Sequence, residues 1–179
     1  MKLTDQRDIA ADPATVWAAI LDADVLKACV PGCESMTGSP QEGFEAVVVQ
    51  KVGPVKARFT GAVTLSDMVA PESLRITGEG KGGPAGFAKG GANVTLTPSE
   101  RGTLLSYEVE ANVGGKLAQL GSRIIDGFAK KMADEFFARF QQAVEGPQDA
   151  DEAEVTEGGE AAEGADPEQK KGWFKRMIG

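Results

Sequence analysis

The 179-residue chain contains no histidine. Ser–His–Asp and Cys–His nucleophile systems are therefore excluded. So are histidine-ligated zinc, haem and non-haem iron. The commonest general acid/base near neutral pH is also missing. Asp, Glu, Lys, Tyr and Cys remain open to catalysis, but the absence favours a binding protein. Cysteine is scarce: Cys29 and Cys33 are the only two. They stand four positions apart with no second CxxC pair, too few ligands for a zinc site, so no metal site is expected. They read as small half-buried hydrophobes at a helix-to-strand corner, with a metal or redox role as the alternative. No run of eighteen apolar residues exists, so no helix is expected to span a bilayer. The N-terminal stretch MKLTDQRDIA lacks the apolar centre of a secretory signal, which places the chain in the cytoplasm, with reduced thiols. There is no concentrated basic face of the kind nucleic acid requires, so no nucleic-acid partner is expected.

Charge is present but unevenly spread. The net charge is −8, from 27 acids and 19 bases. Residues 145–168 hold ten acids and no base, whereas residues 170–176 hold four bases and no acid. Residues 1–144 are left with 17 acids against 15 bases, nearly neutral.

Hydrophobic spacing orders the elements. Residues 2–10 read as a first strand. Asp12 suits an N-cap and Pro13 the first helical position, where its missing N–H costs nothing. Val16, Trp17, Ile20 and Leu21 follow at helical spacing. A second short helix runs from about Asp24 to Cys29, before Pro31-Gly32. Phe44 to Val52 alternates, and Val55, Ala57, Phe59, Gly61, Val63 and Leu65 alternate cleanly with polar residues, joined by Gly53-Pro54. Further strands read at about 72–81, 86–98 and 102–113. Short turns between successive strands predict an antiparallel sheet. From Leu117 the apolar positions run Leu120, Ile124, Phe128, Met132, Phe136, Phe140 and Val144. That predicts one amphipathic helix of roughly 28 residues, about 42 Å long. The expected fold class is α+β, with a curved antiparallel sheet gripping a long C-terminal helix. The space between sheet and helix is a core or a cavity. As a cavity it would be apolar, lined by Phe59, Val63, Val94, Leu96, Tyr107, Leu117, Leu120, Ile124 and Phe128.

The tract from Gly78 to Gly91 imitates a phosphate loop, but it lacks Gly-Lys-Ser/Thr entering a helix and its flanks are strands. It reads as a wide hairpin whose small residues leave room for the helix or for a ligand. Tyr107 shares the inward parity of Leu105 and Val109, while Glu108 and Glu110 point to solvent. No catalytic residue is assigned; an enzyme on this scaffold would have to draw on Asp5, Arg7, Tyr107 or Arg123.

Residues 146–169, rich in Gly, Pro, Ala and acids, cannot bury enough apolar surface to order themselves and read as a linker. The tip that follows, Lys170, Lys171, Trp173, Phe174, Lys175, Arg176, Met177 and Ile178, is different. In a helix Trp173, Phe174, Met177 and Ile178 share one face with cations around the other, the pattern of an interfacial membrane anchor. Each cation near an anionic leaflet adds roughly 1 kcal/mol, so attachment would be weak and reversible. A peptide that docks on a protein and a frayed terminus are the alternatives.

Several strings carry a family resemblance: Asp12-Pro13-Ala14-Thr15-Val16-Trp17, the corner from Leu26 to Glu34 with its Pro-Gly-Cys, Val52-Gly53-Pro54-Val55, the glycine tract, and Gly114-Gly115-Lys116-Leu117. Over residues 1–145 the chain resembles the CoxG family, the G subunit of carbon monoxide dehydrogenase, of the START-like (SRPBCC) helix-grip superfamily. That resemblance implies a non-catalytic accessory that tethers a molybdenum-containing CO dehydrogenase-like hydroxylase to the inner face of the cytoplasmic membrane, with its anionic lipids. It also implies an apolar ligand, with a respiratory isoprenoid quinone (menaquinone or ubiquinone) as the natural occupant and no covalent cofactor. The superfamily contains cyclases and aromatases too, so a small enzyme stays an alternative, as does a scaffold or lipid-binding protein that holds no quinone.

Overall fold

The computed structural model describes residues 1–146. Residues 147–179, which hold nearly all of the expected linker and the whole basic-aromatic tip, lie outside it. Met1–Val144 forms a compact unit. It contains seven strands: β1 (Lys2–Ile9), β2 (Cys33–Ser39), β3 (Gly43–Val52), β4 (Val55–Val69), β5 (Ser73–Lys81), β6 (Phe87–Pro98) and β7 (Thr103–Gly114). They make one antiparallel sheet in the order β1-β7-β6-β5-β4-β3-β2. Strands β2 to β7 follow one another by hairpins; β1 closes the row by pairing with β7, Leu3 opposite Val109 and Ile9 opposite Thr103.

Two short helices, α1 (Pro13–Ile20) and α2 (Ala23–Cys29), fill the link from β1 to β2. Each starts on an aspartate. Asp12 Oδ1 accepts from the Thr15 amide at 2.8 Å, and Asp22 Oδ1 from the Asp24 amide at 2.8 Å. These bonds satisfy amides that have no partner within the helix. The Thr15 bonds also hold the Asp12 carboxyl below its ordinary pKa.

Three features differ from the expected element order. Strand β2 replaces an expected irregular stretch: its sequence CESMTGS carries one large apolar residue, Met36, so it shows no alternation, and it forms because β3 offers an open edge. Strand β4 runs to Val69, beyond the expected end near Leu65. The single long helix is two: α3 (Lys116–Gln119) and α4 (Ser122–Glu145). Gly121 separates them with φ +90, a left-handed conformation that glycine adopts without strain. The 24 residues of α4 make a rod of about 36 Å.

The layer between sheet and α4 is most closely packed in one half. Ile9, Val16, Leu74, Leu96, Leu105 and Phe140 are almost fully buried together there, at the end that carries α1. Phe136 and Phe140 stack at 5.6 Å between ring centres, and Tyr107 stacks on Phe137 at 5.1 Å, which marks the inner limit of that core. Beyond these rings, toward the α4 N-terminus, the layer is hollow.

Candidate functional site: an apolar cavity between sheet and helix

The hollow has a volume of about 540 Å³ and opens to solvent. The sheet floor is built from the inward parity of β3 to β7, represented by Val52, Phe59, Ala88, Val94 and Val109. The roof is one face of α4, with Ile125, Phe128, Ala129, Met132 and Phe136. Small residues make the space. Ala88, Ala92, Ala111, Ala129 and Ala133 stand where larger side chains would meet across the layer, and Gly80 has no heavy atom within 4 Å of where its Cβ would be. A second cavity of about 250 Å³, toward α2 and β2, shares Val30, Ile76, Val94, Phe136 and Phe137 as a common wall.

No acidic or basic side chain lines the larger cavity. Gln50 and Tyr107 are the polar side chains in its wall, and both are engaged. Gln50 Nε2 donates to the Pro31 carbonyl. The Tyr107 hydroxyl accepts from Arg7 Nη2 at 3.4 Å.

Arg7 belongs to a charged cluster behind that wall. The same Nη2 reaches Asp134 Oδ1 at 2.8 Å and Asp5 Oδ2 at 3.3 Å, and the guanidinium lies 5.1 Å from the Phe137 ring centre. Nε is buried without a partner. Burial opposes the Arg7 charge, but the bonds to Asp134 and Tyr107 outweigh it and raise its pKa. Asp134 is held below the ordinary carboxylate range by its bonds to Arg7 and then to Lys130. The cluster ties β1 to α4 along the cavity's flank and keeps its charges outside the hollow.

Of the residues expected in a cavity, Phe59, Val94, Tyr107, Leu117 and Phe128 line the larger hollow, and Val63 lines the smaller one. Leu96 does not; it is buried in the solid core. Leu120 and Ile124 do not either. Their methyl groups lie within 4 Å of where a Gly53 Cβ would stand, over the β3–β4 hairpin. Ile125 takes the inward place expected of Ile124. Of the residues an enzyme would use, Asp5, Arg7 and Tyr107 meet in the flanking cluster, while Arg123 is exposed at the far end of α4. The alanine lining and the role of Met1, Leu3 and Pro31 in the wall had no periodic signal to reveal them.

The glycine tract serves both the sheet and the cavity. Gly80 leaves space in the cavity wall. Gly82 admits the Phe59 ring, since a Cβ there would sit 2.4 Å from its Cε1. Cys29 ends α2, buried, and Cys33 starts β2; both thiols are free, and burial raises the pKa of each. No cluster of potential metal ligands occurs among the described residues. No described helix is long and apolar enough to cross a membrane. The arrangement can hold an apolar molecule, with the Gln50 amide and the Tyr107 hydroxyl as the polar side-chain groups in its wall.

Solved structures with the same architecture are numerous. A conserved protein from Geobacillus kaustophilus is 27% identical, with a TM-score of 0.75 over 81% of this chain and 95% of that one. A Thermus thermophilus protein gives 0.62 at 16% identity, over 80% of this chain and 97% of that one. A START superfamily protein from Mycobacterium smegmatis gives 0.60 at 14% identity, over 80% and 97%. The last two show the fold alone, and that fold is the helix grip. No curated protein matches the chain. The model of one protein family, the G subunit of carbon monoxide dehydrogenase (CoxG), matches residues 6–145, the whole of the sheet and α4 but for the first residues of β1. The chain belongs to the CoxG family.

Proposed function

We propose that this protein is a non-catalytic accessory of a carbon monoxide dehydrogenase-like molybdenum hydroxylase, and that its cavity carries an isoprenoid quinone. The observation that supports this most directly is an open hollow of about 540 Å³ with no charged side chain in its wall, in a chain of this family. That volume lies in the range of small-molecule sites, and a wall of this kind gains free energy from removing an apolar surface from water. Such a molecule would otherwise stay in a bilayer, so the carrier must reach one. The tip with Lys170, Lys171, Trp173, Phe174, Lys175, Arg176, Met177 and Ile178 supplies an apolar face and a cationic rim for the inner leaflet. The 24 residues from Gly146 to Gln169 would act as the tether.

Organic-solvent extraction of the purified protein, read by mass spectrometry, tests the carrier reading. The full chain and the chain ending at residue 169 are extracted side by side. Isoprenoid quinone near one per chain in both samples is the expected result. Empty extracts from both would overturn it and leave a tether that binds nothing inside. The small-enzyme reading is disfavoured by the wall itself, because Asp5, Arg7 and Arg123 stay out of it.

A further inference from the structure

The two ends of the folded unit carry opposite charge. One end is formed by the β3–β4 turn at Gly53-Pro54, the β5–β6 connection at 82–86 and the α3–α4 break. Residues 49–60 at that end contain Lys51, Lys56 and Arg58 and no acid. Lys81, Lys89, Lys116 and Arg123 surround them, against Glu79 opposite Lys89 and Asp126 on α4, and of these seven cations Arg58 alone forms an ion pair among the described residues, with Glu34. A groove of about 570 Å³ on the same end is lined by Lys56, Arg58 and Lys116 beside Pro54 and Gly82–Ala85. The opposite end presents Asp12, Glu42, Asp67, Glu72 and Glu100, with Arg101 the one base in its turns.

The basic end also exposes apolar side chains, and the cavity extends to it. Ile124 is 40% exposed and Phe87 39%. The cavity wall ends there in Val52, Gly80, Ala88, Val113 and Leu117. Two other large hydrophobics, Met68 and Val69, are exposed at the acidic end beside Asp67 and Glu72, a setting that an anionic surface repels.

We propose that the hairpin end of the folded unit, through Lys56, Lys81, Lys116 and Arg123 around Ile124 and Phe87, docks on an anionic lipid bilayer, with the cavity lying directly behind the docked end. This surface is separate from the C-terminal tip; its purpose, loading an apolar ligand without passage through water, rests on the carrier reading, but its charge does not. Cations at a leaflet supply attraction and the two exposed apolar groups supply a shallow foothold. The acidic end then faces away from the lipid. The tip can bind the same leaflet, because 24 linker residues extend to ~80 Å, more than the ~36 Å of α4.

Flotation with vesicles tests it, using the chain ending at Gly146, which retains all seven strands and the buried cluster. Vesicles of phosphatidylglycerol and phosphatidylcholine are compared with phosphatidylcholine alone. The expected result is binding to the anionic vesicles only, lost between about 0.1 M and about 0.5 M salt as the charges are screened. Reversing three cations (Lys56→Glu, Lys81→Glu, Lys116→Glu) should weaken it by on the order of a hundredfold, at about fivefold or more per cation. An unchanged circular-dichroism melt shows that the variant is folded, and the salt dependence of the unaltered chain gives the answer without it. Absence of binding by the chain ending at Gly146, equal binding to neutral vesicles, or undiminished binding of the reversed variant would each overturn the proposal. The same chain's quinone content, measured by extraction, reports on the carrier reading independently.

Discussion

Arg7 shows how a partly buried charge is kept useful without entering the ligand space. It is held by Asp134, Asp5 and Tyr107 on the flank of the cavity, so its charge strengthens the β1–α4 seam and leaves the wall apolar. The bond to Asp134 makes a pH prediction. The Asp134 carboxyl is depressed in the folded chain. Its contribution is therefore present above the ordinary carboxylate pKa of about 3.9 and is lost as pH falls through the lower folded value. Asp134→Asn should unfold at lower urea than the unaltered protein at pH 7, and the two midpoints should converge as pH drops below about 4. Equal midpoints at pH 7 would show that the ion pair adds nothing. Tyr107 was legible as inward from its parity with Leu105 and Val109. Its partner Arg7 was not, because the pairing joins residues a hundred positions apart.

At the scale of elements, glycines decide what helices and strands could not. The four-residue apolar spacing from Leu117 to Val144 predicts one helix, and Gly121 divides it. Leu120 and Ile124 meet the Gly53 hairpin, while Ile125, on the face of α4 that carries Phe128, Ala129 and Met132, lines the cavity. Periodicity carries no information about such a break, since both halves keep a helical repeat. In the β5–β6 connection Gly82 abuts the Phe59 ring. Gly82→Ala should push that ring into the hollow. The expected outcome is a sheet of unchanged far-ultraviolet dichroism and a fall in extracted apolar ligand of several-fold; an unchanged ligand yield would mean that Phe59 moves outward instead. Strand β2 was missed for a different reason: a polar edge strand has only one covered neighbour and needs no hydrophobic alternation.

The whole molecule is a half-filled grip. The end near α1 is packed by Phe140, Leu105 and Ile9, and the other half is hollow. A hollow lined by apolar groups lacks the contacts a close-packed interior would have, so filling it should stabilise the empty protein and exclude its ligand. Ala129→Leu adds three carbons on the roof. At roughly 0.8 kcal/mol per buried methylene, less the strain of fitting, a gain of about 1 kcal/mol and a Tm rise of about 3 °C are expected. Extracted ligand should fall at the same time. A fall in Tm with ligand retained would mean that the space is filled by movement of α4 and is not open in solution.

The sequence by itself determined much of this protein. The missing histidine removed whole classes of chemistry, period-two alternation set the sheet, the Asp-Pro start set α1, and strings such as the Pro-Gly-Cys corner set the family. These are local properties, because propensity, capping and side-chain alternation depend on residues a few positions apart. Only the tertiary structure decided that the layer between sheet and helix is half core and half cavity, that Arg7 stands outside the wall, and that cations from six different elements gather at one end. Each of these depends on distances between residues far apart in the chain. A cavity above all is an absence of atoms, and the alanines and glycines around it look, in sequence, like those that let elements pack closely.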